Sequence, residues 1–136
     1  MDKQKVFDFI KNNSLCVLST ASKDCKPQSA VMAYLFKDNF LFMFTENTTR
    51  KYKNILENNQ VSVVVGGFKD DPSVQIDGTI TELSVDEGVK IKAAALLIHP
   101  EWTGYFDSSN GQWFEIKPLW MRYLDYSTNP PTVFEV

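Results

Sequence analysis

A chain of 136 residues, 43% hydrophobic and 23% charged, is long enough to bury one core and too balanced for a disordered tail. Its formal charge of −3 argues against a dedicated nucleic-acid binder, whose footprint is basic overall, so any positive site must be local. The two cysteines, Cys16 and Cys25, lie outside metal-ligand spacing, and nothing in their setting motivates a disulfide.

The opening MDKQKVFDFI lacks the apolar run of a secretory leader, and segments such as AAALLI are far short of the roughly 20 apolar residues that a membrane span needs. The expectation is a cytoplasmic protein with no membrane partner, folded as one domain over residues 1–136.

Residues 2–12 place Val6, Phe9 and Ile10 at helical spacing, with Asp2 as the cap. SLCVLST reads as a strand and SKDCK as a hairpin turn. The partner strand PQSAVMAYLFK runs from Pro27 to Lys37. After the reversal at KDN comes FLFMFT, apolar on both faces and hence a central strand with neither face in water. A polar turn and a short helix follow, and then VSVVVGGF, again apolar throughout.

SVQIDGTITEL alternates, with Val74, Ile76 and Ile80 on one face and Gln75, Asp77, Thr79 and Thr81 on the other. SVDE is a capping box that opens a longer helix at Ser84, whose inner face is Ile91, Ala94, Ala95 and Ile98. WFEIKPLWMRYLDY is a long last strand bent or interrupted at Pro118, and NPPTVFEV is a tail able to add a short edge strand. Six or seven mostly hairpin-connected strands with three inserted helices predict a mainly β, closed or nearly closed antiparallel barrel.

The short helix holds a local conflict. Thr48 and Thr49 are its candidate N-caps, yet Arg50 and Lys51 occupy its first turn, where the exposed N–H groups disfavour each cation by roughly 0.3–1 kcal/mol. Glu57 sits near the negative C-terminus, whereas the helix after Ser84 carries Asp86 and Glu87 where electrostatics favours them. A bound phosphate resolves the conflict, because free N–H groups, threonine hydroxyls and two cations form an anion site. Tyr52, Ile55 and Leu56 would then anchor the helix to the barrel. The competing explanation is a merely solvated surface helix.

The segments LCVLSTASKDCKPQSAVMAYLF, TTRKYKNILENNQVSVVV and DGTITEL, in that order, resemble the FMN-binding split-barrel family typified by pyridoxamine 5′-phosphate oxidase. The likeness covers residues 5–98, and IKPLWMRYLDYS looks like the closing strand of its small general-stress-protein subgroup. The resemblance implies an FMN cofactor whose phosphate is held by Arg50 and Lys51 beside Thr49, with Phe44 and Thr45 lining it. It further implies that the strand segment Ser29, Ala30, Val31 and Met32 lies along the isoalloxazine ring, with Gln75 near a flavin-contacting position. Members of this family are homodimers with flavin at the interface, so a homodimer is expected here.

Cys25 stands where the family has a glycine, which predicts a different turn. The C-terminal Trp- and Arg-rich motifs of the true oxidase are absent, so pyridoxamine 5′-phosphate is not the expected substrate.

The resulting expectation is an FMN-dependent oxidoreductase acting on an unidentified small molecule, with a reduced nicotinamide as donor and no metal. The rivals are a non-catalytic flavin carrier or stress protein, and a haem-binding split barrel. His99, the only histidine, reads as a helix stop with a satisfied ring, and Cys16 as a small core residue. Trp102, Tyr105, Trp113, Trp120 and Tyr123 read as core and dimer contacts, with flavin stacking or a pocket wall as the alternative.

Overall fold

The elements follow the expected order. In the computed structural model, which describes residues 1–136, helix α1 (Lys3–Lys11) precedes strands β1 (Leu15–Ala21), β2 (Pro27–Ala33), β3 (Leu35–Lys37) and β4 (Phe40–Glu46). Helix α2 (Arg50–Glu57) then leads into β5 (Gln60–Gly66) and β6 (Ser73–Glu82). Helix α3 (Val85–Ile98) and a 3-10 turn (Pro100–Trp102) lead into β7 (Gly111–Asp125) and β8 (Thr132–Glu135). The strands pair antiparallel in the order β2-β1-β5-β6-β7-β4-β3, and β8 pairs with the far end of β7.

The segment expected as one strand from Pro27 to Lys37 is in fact two. Tyr34 interrupts it: its N–H donates to the Ser14 carbonyl at 2.9 Å and its buried hydroxyl donates to the Ile10 carbonyl at 2.6 Å. β2 and β3 lie at opposite ends of the strand order, so this single residue joins the two edges of the sheet. The sheet must therefore curl. β2 and β4 come close but form no ladder, which leaves a barrel split along one seam.

The barrel interior holds Leu18, Leu41, Met43, Val63, Ile76 and Phe114. α1, capped by Asp2 as expected, plugs this core with Val6 and Ile10. Full burial of such side chains stabilises by roughly 1.5–3 kcal/mol each, which holds a helix too short to persist alone. A second cluster lies outside the barrel, where α3 and the 3-10 turn cover Phe42 and Trp113 with Leu83, Ile91, Ala95 and Trp102. β4 is thus buried on both faces, as its sequence predicts.

β5 differs from expectation. Val61, Val63 and Val65 are buried, but Val64 faces out because no helix covers that side of the sheet. In β6, Val74, Ile76 and Ile80 are the buried set, as expected. The bend in the last strand occurs where Pro118 opposes Gly78 beside a register shift. A Cβ on Gly78 would come within 2.6 Å of the Lys117 carbonyl oxygen, so only glycine fits there.

α3 starts with the expected capping box, Ser84 Oγ accepting from the Glu87 N–H at 3.2 Å. Its inner face is Gly88, Ile91 and Ala95, with Ala94 only partly covered. Ile98 is 58% exposed, because in the last turn it borders an open groove against α1 instead of the sheet.

Candidate functional site

The seam presents two lips. The β3–β4 ladder ends at Leu35 opposite Phe42, and beyond that end Met32 of β2 and Thr45 of β4 lie on the two sides of the seam. β2 has β1 as its only partner, so alternate residues of the run Ser29, Ala30, Val31 and Met32 turn N–H and C=O groups outward that the sheet leaves unpaired. Unpaired backbone groups of this kind need a hydrogen-bonding occupant or water. Thr45 is buried on the opposite lip. The Phe44 ring turns away from the seam and packs against Trp113 and Phe106, each with centroids 5.4 Å away.

α2 begins directly beyond the β4 lip. Its N-cap is Thr49, whose hydroxyl accepts from the Tyr52 N–H at 3.2 Å and donates to the Glu46 carbonyl at 2.9 Å. That hydroxyl is consumed by the cap, contrary to the expectation that it serves an anion. The Arg50 and Lys51 N–H groups have no backbone partner and no acidic side chain shares their turn. The electrostatic conflict read from the sequence is therefore present in the fold.

Glu57, the other misplaced charge, has a local explanation, since its carboxylate accepts the Lys23 N–H of the β1–β2 turn at 3.3 Å.

The helix is held differently from expectation. Ile55 is buried and Tyr52 packs edge-on against Phe114, with centroids 5.8 Å apart. Leu56, however, is 60% exposed, because the inward position beside Ile55 belongs to Asn54. The buried Asn54 amide donates to Thr20 Oγ1 at 3.1 Å and to Gln28 Oε1 at 3.4 Å, which fastens α2 to both strands of the first hairpin. Sequence reasoning missed it because a lone asparagine in a charged helix reads as solvated.

Arg50 and Lys51 point to different surroundings. Arg50 joins Lys23, Lys26 and Lys53 around a groove of about 330 Å³ between α2 and the β1–β2 turn, with Asp24 and Glu57 as the acidic members. None of those four cations is in a salt bridge. Lys51 is half-buried outside this groove.

Gln75 is not brought to the seam. It lies on the outer face of β6, three strands from β2 and so roughly 14 Å away. It continues an outward row in which Val31, Val17 and Val64 are successive cross-strand neighbours. Val31 is 72% exposed, so the apolar part of that row meets solvent at the β2 lip.

The remaining reactive residues stand apart. Both cysteines are free: Cys16 is buried, and burial pushes its thiol up to about 12, whereas Cys25 is exposed. In the β1–β2 turn Cys25 adopts the left-handed backbone, with φ of 62°, a conformation that glycine takes without strain.

His99 ends α3, pairs with Glu101 at 2.9 Å and stacks on Trp102 at 4.0 Å. Trp102, Trp113 and Tyr123 are core residues, Trp120 is half-buried and Tyr105 is exposed. No cluster of side chains suits a metal ion, and no helix is long and apolar enough to cross a membrane.

The sequence profile of the pyridoxamine 5′-phosphate oxidase family matches residues 2–125. The chain belongs to that family. A pyridoxine/pyridoxamine 5′-phosphate oxidase of Ehrlichia ruminantium (strain Welgevonden) is 35% identical over 81 residues, which are 59% of this chain but only 42% of that protein. Among solved structures, a pyridoxamine 5′-phosphate oxidase-related, FMN-binding protein of Nostoc punctiforme aligns with a TM-score of 0.72 and 14% identity, over 98% of this chain and 88% of that one. A haem-binding protein of Mycobacterium smegmatis aligns with a TM-score of 0.80 and 14% identity, over 97% of this chain and 56% of that one. At such identities these two likenesses concern the fold. Members of this architecture therefore include both flavin and haem binders.

Proposed function

We propose that this protein is an FMN-dependent oxidoreductase acting on an unidentified small molecule, with FMN seated along the β2–β4 seam. The observation that carries this reading is the convergence of an unpaired strand edge at Ser29–Met32 with the uncompensated positive start of α2 at Arg50 and Lys51. A planar ring with hydrogen-bonding edges suits the first, and a phosphate ester suits the second. When bound, FMN supplies the electron-carrying ring system, and the protein's own groups bind and orient it.

Haem is the weaker fit, because the only histidine is engaged with Glu101 and Trp102.

The outward row of Val31, Val17 and Val64, exposed at Val31 and Val64 and half-buried at Val17, supports a homodimer whose second copy covers the β2 lip. In such a dimer Gln75 would approach flavin only from the other copy. Val31→Asp should shift the chain to monomer in light scattering and weaken FMN; a dimer unchanged by that substitution counts against this interface.

The direct test is the absorption spectrum of protein reconstituted with FMN, followed by titration of Arg50→Ala/Lys51→Ala. The double variant should lose FMN far more than riboflavin, which lacks the phosphate. Equal losses would remove the phosphate role, and no flavin spectrum at all would remove the cofactor. Steady consumption of a reduced nicotinamide by the holoprotein identifies an enzyme; no turnover with any common acceptor would favour the carrier reading.

A further inference from the structure

The outer face of the sheet carries a row that runs from apolar to charged. Val31, Val17, Val64, Gln75 and Arg122 are successive cross-strand neighbours on β2, β1, β5, β6 and β7. Arg122 is half-buried, and its Nε is the one buried side-chain nitrogen or oxygen in the chain without a hydrogen-bond partner. Its cross-strand neighbours Gln75 and Glu135 flank it without satisfying that N–H, and Arg122 takes part in no salt bridge. A desolvated guanidinium donor of this kind calls for an acceptor from outside the chain.

The pattern of the row indicates where Arg122 meets one. Its apolar end is widened by Ala33 and Leu15, cross-strand neighbours on the same face, and Leu15 is 59% exposed. A two-fold axis parallel to the strands at Val17 buries this end against its own copy, Val31 against Val64. At about 4.8 Å per strand, the same operation carries Gln75 of the second copy roughly 5 Å past the β2 edge and its Arg122 roughly 10 Å past. Both then overhang the seam. An axis along the row would instead stack the two Arg122 side chains on each other, which like charge disfavours.

Resting on the FMN and homodimer readings, we propose that Arg122 of the second copy completes the flavin site, donating to the ring bound by the first copy and favouring its reduced state. Arg50 and Lys51 already face the roughly two negative charges of the phosphate. The oxidised ring is neutral and gives a third cation nothing to match. Two electrons and one proton, delivered together as hydride by a reduced nicotinamide that is thereby oxidised, leave one negative charge on the ring. Arg122, always protonated, offsets that charge where the second copy excludes water.

The test compares midpoint potentials of bound FMN, by equilibration with a reference dye, in wild type, Arg122→Met and Arg122→Lys, with light scattering to record the dimer. Arg122→Met should lower the affinity for reduced FMN relative to oxidised FMN about tenfold, a potential roughly 30 mV more negative. Oxidised FMN should lose less than about threefold in affinity, and Arg122→Lys, which keeps the charge, should recover part of the shift. A mixed dimer tests the reach between copies. One chain carries Arg50→Ala/Lys51→Ala and the other Arg122→Met, so the one intact phosphate site receives its Arg122 from the opposite chain. That site should show the wild-type potential; the potential of Arg122→Met there overturns the cross-subunit contact. A potential unmoved by Arg122→Met in an FMN-loaded dimer overturns the role of Arg122 and leaves the FMN reading standing. Wild type that binds no FMN, or binds it as a monomer, overturns the corresponding reading and this inference with it.

Discussion

Asn54→Ala tests how α2 is held over the seam. The substitution removes an amide that donates to Thr20 at 3.1 Å and to Gln28 at 3.4 Å, from a position only 4% exposed. Thr20 is itself 3% exposed, so its hydroxyl is left without this partner inside the protein. Stranding a buried polar group costs about 1–3 kcal/mol, and the weaker bond to the half-buried Gln28 adds about 0.5 kcal/mol.

A total of about 1.5–3.5 kcal/mol, set against an unfolding entropy of about 0.29 kcal/mol/K for a chain this long, lowers Tm by roughly 5–12 °C. Thermal melts by circular dichroism measure the shift, and Thr20→Val supplies the control. Valine removes the stranded hydroxyl, so the double variant should be less destabilised than the two single losses added together. Additive losses, or an Asn54→Ala melt within about 2 °C of wild type, would refute the strut.

Cys25→Gly should raise stability by about 1 kcal/mol in denaturant melts, because a side chain in the left-handed region at φ 62° is strained and glycine is not. Gly78→Ala should cost about 1–3 kcal/mol, since the added methyl meets the Lys117 backbone and the paired strand must shift. A thiol reagent should modify one cysteine, Cys25, in the native protein and the second, Cys16, only after unfolding.

Burial raises both Cys16, to about 12 from 9.0, and Tyr34 from 10.0. Both are neutral in the fold while the unfolded chain ionises first. Their stabilisation is therefore complete below about pH 9 and lost as pH rises toward 12, and melts across that range should show Tm falling, less steeply in Cys16→Ala.

What could be read from the sequence was whatever depends on neighbours in the chain. The conflict at Arg50 and Lys51, the capping box at Ser84 and the bend at Pro118 are all local signals, and each is present in the structure. What could not be read depends on tertiary contact. Nothing in VMAYLFK marks Tyr34 as a break, because no glycine or proline stands there; the break is made by its bonds to Ser14 and Ile10. Val64 looks like any other member of a valine run until the fold leaves that side uncovered. Leu56 loses its expected inward place to Asn54 because the hairpin beneath α2 offers Thr20 and Gln28, oxygen acceptors that the Asn54 amide reaches.

Tyr34 fixes more than the path of the chain. Because the β2 lip runs through this one residue into β3, which pairs with the β4 lip, the two lips are pinned together at that end and part only beyond it, along Ser29–Met32 and Thr45. The opening behaves as a wedge whose gauge is set covalently, not as a hinged mouth. Lengthening the outer loops would leave that gauge unchanged, whereas inserting a single residue beside Tyr34 would respace the whole slot.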